Sequence, residues 1–324
     1  MGERCADSSR GARDQDDWPQ GTHQSEPFTP TPTAVSSGYT PSSTHAIRSY
    51  SCAGWRYFGL NMRTLQGKKG LVTGSSSGIG RSITIALARE GVDLYLVDID
   101  GINLEAVARE ARSYDVEVVT AICDLSQTVQ ITATVNALLS RWGRLDILIN
   151  SAGLAYYGPW ETMPAALQEE ILTVNLLAPI QLVRELLPSL LAQDEAHIVN
   201  IASIFGLASM RKGLMYQTSK FGLSGFSMAL NAEFGRRRFG VTTLCPGFVR
   251  TPMLYTTSIA AGQRRHEVPA WATTNVEDIA NATIRAIYKN RALVVIPLAA
   301  KLIWWLTRIA PNGVAWLMRE GWRK

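Results

Sequence analysis

From Gly67 to Pro297, short β-branched apolar runs alternate strictly with stretches that carry apolar residues at helical spacing. The runs KKGLVTG, VDLYLVDID, VEVVTAICD, LDILINSAG, AHIVNIAS and GVTTLCPG read as strands, with RALVVIP a candidate seventh. Helical spacing fills the intervals, for example 82–90, 104–114, 128–142 and 214–236. Strand and helix in strict alternation require crossover connections, which are right-handed, so the strands lie parallel with helices on both faces. The expected class is α/β, a doubly wound parallel sheet in one domain over residues 62–297. Ligands of such a sheet bind at the carboxyl ends of its strands.

The unusual residues fall at those ends. Directly after the first strand comes Thr73-Gly74-Ser75-Ser76-Ser77-Gly78-Ile79-Gly80, opening a helix that begins near Gly78. Glycine there lets the backbone turn sharply and approach a pyrophosphate, and the helix N-terminus offers unpaired N–H groups with partial positive charge. Ser76 and Ser77 belong to the same cradle, which makes the domain Rossmann-like. The second strand ends at Asp98. An acid at that point accepts hydrogen bonds from ribose hydroxyls and repels a 2′-phosphate, so NAD is favoured over NADP. Asp124, closing the third strand, either meets the adenine amine or caps the next helix.

A second group of residues carries chemistry. Ser203 follows the fifth strand, and Tyr216 and Lys220 stand at i and i+4, one turn apart on one helix face. A free tyrosine has a pKa near 10, roughly three units above neutrality, a cost of about 4 kcal/mol. A neighbouring ammonium and an oxidised nicotinamide are expected to lower it. Ser203 can donate a hydrogen bond to a substrate oxygen, and Lys220 can also hold the nicotinamide ribose.

Glycine loop, serine and Tyr-x-x-x-Lys together resemble the short-chain dehydrogenase/reductase family, in the subgroup whose loop reads TGxxxGxG. The resemblance covers about seven-tenths of the chain, from Gly67 to Pro297. It implies that Thr73, Gly74, Gly78, Ile79 and Gly80 form the phosphate loop and that Asn150-Ser151-Ala152-Gly153 stands for the family's NNAG element, with serine in place of the second asparagine. It further implies that Asn175 completes a proton path through a water next to Lys220. Pro246, Gly247, Val249 and Thr251 would form the loop over the nicotinamide, Val249 meeting the carboxamide and Thr251 hydrogen-bonding it. The implied reaction is hydride transfer between NAD(P) and a secondary alcohol or ketone, and the implied assembly is a homo-oligomer through the helices bearing Asn175 and Tyr216. The rival readings are an NAD sensor without chemistry and a membrane-tethered scaffold.

The segments expected to line the substrate pocket are LAYYGPW, IFGLASMRKGLM and the loop after Thr251, apolar and aromatic with Arg211, Lys212, Arg264 and Arg265 at the rim. A hydrophobic, lipid-like alcohol or ketone fits them better than a polyol. The formal net charge of +5 resides wholly in the C-terminal stretch from Arg291, where Arg291, Lys301, Arg308, Arg319, Arg323 and Lys324 face the single acid Glu320. The balanced remainder argues against a nucleic-acid-binding body.

Cys5, Cys52, Cys123 and Cys245 are scattered, with no CxxC and no zinc-like His spacing, so no metal and a reducing, cytoplasmic setting are expected. Residues 1–61, rich in Ser, Thr, Pro and Gly, read as disordered. The tail 298–324 is amphipathic and rich in Trp and Arg. Pro297 can start a helix there and Pro311 end it, too short to span a bilayer, with Lys301, Trp305 and Arg308 on one narrow face. Peripheral membrane contact and packing on protein are both open to this tail.

Overall fold

The computed structural model describes residues 62–235, 239–253, 258–259 and 273–320. The expectation of disorder before residue 62, and Arg264 and Arg265, lie outside the described residues. Seven strands form one parallel sheet: β1 (Lys69–Thr73), β2 (Asp93–Asp98), β3 (Val118–Ile122), β4 (Ile147–Asn150), β5 (Ala196–Ile201), β6 (Phe239–Pro246) and β7 (Leu293–Ile296). Their order across the sheet is β3-β2-β1-β4-β5-β6-β7, so the chain reverses its direction of growth between β1 and β4. RALVVIP is thus the seventh strand, at the sheet edge beside β6.

Successive strand residues serve opposite faces. Val72, Leu94, Leu96, Ile147 and Ile149 pack under α1 (Gly78–Arg89), α2 (Gly101–Arg112) and α6 (Val276–Tyr288). Their neighbours Leu71, Tyr95, Val97 and Leu148 pack under α3 (Thr128–Trp142), α4 (Ala165–Leu191) and α5 (Leu214–Phe234). This period of two explains why the strands read as continuous apolar runs: both faces of a parallel sheet are covered. By length and composition α4 could cross a membrane. Its Leu182, Val183, Leu186 and Leu190 are instead buried in the core.

The tail departs from expectation. It forms α7 (Leu298–Ile309) and then α8 (Pro311–Glu320). Pro311 ends the first helix but also opens the second, because the first helical position needs no N–H from its residue.

Candidate active site

The reversal between β1 and β4 opens a cleft of about 270 Å³, at the place where a doubly wound sheet takes a ligand. Gly74, Ser76, Ser77, Gly78, Ile79 and Gly80 form one wall. Two of the glycines have no substitute. Gly74 has φ +66°, and a Cβ there would sit 2.7 Å from the Ala152 Cα; a Cβ on Gly80 would run into the Gly74 carbonyl oxygen. Ser77 caps α1 without a side-chain hydrogen bond, leaving the first N–H groups of the helix to a ligand. Thr73 stands beneath this loop, where its Oγ1 accepts from the Ser151 and Ala152 N–H groups at 3.0 and 3.2 Å and so ties β1 to β4.

Asp98 and Asp124 also line the cleft, with Ala152, Gly153 and Thr251. Both oxygens of Asp98 are engaged: Oδ2 accepts from the Ser76 N–H at 2.9 Å and Oδ1 from the Asp100 N–H at 3.1 Å. The carboxylate therefore braces the glycine loop, a role the sequence did not reveal. Asp124 Oδ1 accepts from the Ser126 N–H at 2.8 Å within the turn before α3, whose N-cap is Gln127 with no side-chain cap, so the capping alternative is not met, and the residue faces the cleft. Asn150, Pro246, Gly247 and Val249 lie outside the cleft wall. The Asn150 amide donates to Asn200 at 2.8 Å, and the Gly247 N–H donates to the Ile296 carbonyl at 2.6 Å. Glu170 and Val174 line the cleft without having been singled out from sequence. Their spacing of four on a helix leading to Asn175 is the signal that could have found them.

Ser203, Tyr216, Lys220 and Asn175 cluster beyond Gly153, whose own Cβ would lie 3.2 Å from Asn175 Oδ1 and 3.5 Å from Lys220 Nζ. Ser203 caps the short helical turn after β5, its Oγ accepting from the Phe205 N–H at 3.1 Å, and its side chain neighbours the Tyr216 hydroxyl. Lys220 Nζ stands 5.9 Å from the centre of the Tyr216 ring and donates to the Ile201 carbonyl at 2.9 Å. Burial pulls the Lys220 ammonium down to about 8. The protein's own groups, apart from the oxidised nicotinamide that the expectation also invoked, do not lower Tyr216: burial pushes its hydroxyl up, and only the Ser203 side chain opposes this. The physical reason is that burial removes water from the phenolate, the charged form, and this is the largest influence on the group. Cys245, also buried here, is pushed up to about 12 by burial, which keeps it a neutral thiol.

Asn175 is fully buried. Its Oδ1 accepts from the Leu154 N–H at 2.7 Å, and its Nδ2 donates to the Leu154 carbonyl at 2.9 Å and Ser219 Oγ at 3.0 Å. The side chain is thus consumed in holding the strand end, and only its backbone is left for other work. Around it α4 widens into a π-turn over Thr173–Leu177. Four residues on stands Pro179, which has no N–H to return to the Asn175 carbonyl at α-helical spacing.

The model of the short chain dehydrogenase family matches residues 68–261. The chain belongs to that family. This dehydrogenase is 34% identical over 217 residues to a granaticin polyketide synthase putative ketoacyl reductase of Streptomyces violaceoruber, across 66% of this chain and 78% of the relative. A short-chain dehydrogenase/reductase from Burkholderia phymatum, solved in complex with NAD, superposes with a TM-score of 0.69 at 26% identity, covering 78% of this chain and 96% of that one. A metagenomic short-chain oxidoreductase in complex with NADP superposes with a TM-score of 0.61 at 29% identity, covering 71% and 97%. The dehydrogenase is accordingly an oxidoreductase of CH–OH and C=O groups on a fold that takes NAD or NADP.

Proposed function

We propose that this dehydrogenase interconverts an apolar secondary alcohol and its ketone with NAD(H) as the hydride carrier, using Tyr216, Ser203, Lys220 and Asn175. The observation that carries the reading is the gathering of Ser203, Tyr216, Lys220 and Asn175 immediately behind Gly153 at the cleft wall. When bound, the nicotinamide supplies or takes the hydride. Ser203 orients the substrate oxygen, and the Tyr216 hydroxyl gives that oxygen its proton in reduction or takes it in oxidation. Lys220 steadies the charge that develops on the phenolate, and the Asn175 backbone carbonyl, which has no α-helical partner from Pro179, would hold a water on the way to solvent.

NAD is preferred on electrostatic grounds. Among the described residues lining the cleft are three acids, Asp98, Asp124 and Glu170, and no lysine or arginine. A 2′-phosphate would enter there without a cation to meet it. Ile79, Ile99, Leu125, Leu154, Val174 and Met253 along the cleft support an apolar substrate. Self-association fits α5, where Leu214, Phe221 and Met228 recur every seven residues at 50%, 43% and 44% exposure.

The test is NADH formation with hydroxysteroids, long-chain secondary alcohols, 3-hydroxyacyl thioesters and polyols, comparing the native protein with Tyr216→Phe. Turnover of one apolar class, reduced about 10²- to 10⁴-fold in the variant with NAD binding retained, is expected. Equal turnover by both proteins would overturn the assignment of Tyr216.

A further inference from the structure

The last two helices carry a surface that neither the core nor the nucleotide cleft uses. Along α7, Ala300 is buried and Ile303, Trp304 and Thr307 are partly covered, while Leu298, Leu302, Trp305, Leu306 and Ile309 are exposed. At 3.6 residues per turn these five occupy an arc of about 100°. Lys301 and Arg308 lie along one flank of that arc, both exposed. Trp316 and Leu317 of α8 are more than half exposed as well. Single exposed apolar residues are ordinary on a soluble protein, whereas a contiguous apolar face marks a contact.

We propose that this face docks on an anionic lipid bilayer. Charge selects the occupant: from Lys301 onward the chain carries Lys301, Arg308, Arg319, Arg323 and Lys324 against Glu320 alone. Long basic side chains flanking an apolar arc can reach lipid headgroups while tryptophan and leucine enter the acyl boundary. With twelve residues α7 is too short to span a bilayer, so it lies in the interface plane. A second copy of the chain has the separate apolar stripe of α5 available to it.

The position of α7 gives the docking a consequence. A Cβ on Gly247 would lie 3.1 Å from Pro297 Cδ and 3.2 Å from Ala300 Cβ, so the helix start is packed against the loop that follows β6. Resting on the catalytic reading above, docking would hold the domain at the lipid surface by way of the loop that follows β6, so that an apolar alcohol or ketone would reach the enzyme from the bilayer.

The full-length protein is to be sedimented with vesicles of phosphatidylcholine alone and of phosphatidylcholine doped with phosphatidylglycerol, while its mass is followed by analytical ultracentrifugation. Binding to the doped vesicles is expected to exceed binding to the neutral ones by about tenfold or more and to weaken in high salt. Trp305→Glu, and separately Leu302→Ser with Ile309→Ser, should each reduce binding by about tenfold or more without changing the oligomeric mass or NAD binding. Failure of the native protein to bind, or binding that survives both variants, would overturn the proposal. A changed mass in the variants would also overturn it, by assigning the face to a second copy. Turnover enters none of these readouts, so an inactive protein that binds vesicles would refute the catalytic reading and leave the docking intact.

Discussion

Replacing Asp98 by alanine separates the bracing role that the structure shows for this carboxylate from the ribose-binding role proposed for it. Its oxygens hold the Ser76 and Asp100 N–H groups at 2.9 and 3.1 Å, and loss of these bonds loosens the glycine loop for any nucleotide. A hydrogen bond to a charged acceptor contributes about 1.5–3 kcal/mol, so losing one to the adenosine ribose weakens NAD about 10- to 150-fold. Removing the negative charge favours a 2′-phosphate by ~1 kcal/mol at water-like dielectric. Loop loosening acts on both cofactors alike and cancels in their ratio. The ratio of NAD to NADP affinity should therefore fall by about a hundredfold. Titrating NADH and NADPH fluorescence against native and Asp98→Ala protein reads that ratio directly. If both affinities drop together and the ratio holds, Asp98 is only a brace for the loop and the case for NAD fails.

Pro179→Ala restores an N–H at α-helical spacing from the Asn175 carbonyl; kcat should fall several-fold with KM little changed, and an unaltered kcat would remove that carbonyl from the proton path. Burial pulls Lys220 down to about 8, so kcat/KM for carbonyl reduction should decline as pH rises through that value and the ammonium is lost. A flat profile across that range would show that the charge does not matter. His197 is buried, bonds Thr242 Oγ1 at 2.8 Å and is pulled by burial to about 3 from an ordinary 6.5. Between those values the unfolded state binds the extra proton, so stability should fall as pH drops from 6.5 toward 3, by at most ~5 kcal/mol at about 1.4 kcal/mol per pH unit. Urea unfolding at stepped pH measures this, and His197→Gln should flatten the slope; an equally steep slope in that variant would place the linkage elsewhere.

What could be read from sequence and what could not divides by the kind of information each feature needs. The sheet was legible because its strands are short, mostly apolar runs and every crossover helix has its own period. Tyr216 and Lys220 were legible because one helical turn fixes their juxtaposition whatever surrounds them. Three features needed the third dimension. The bracing bonds of Asp98 depend on β2 ending beside the loop that follows β1, a contact between segments far apart in the chain. The direction of the Tyr216 shift depends on burial, which spacing does not encode. The solvent-facing side of α7 depends on which residues Gly247 leaves room for, and only the packed Ala300 reveals that the leucines and Trp305 look outward. Pro179 belongs between these groups. Its effect on the Asn175 carbonyl is local and follows from a missing N–H four residues on, so it was present in the sequence. It becomes meaningful only when the Asn175 amide is seen to be spent on Leu154 and Ser219, which leaves the backbone carbonyl as the group through which the proposed proton path would run.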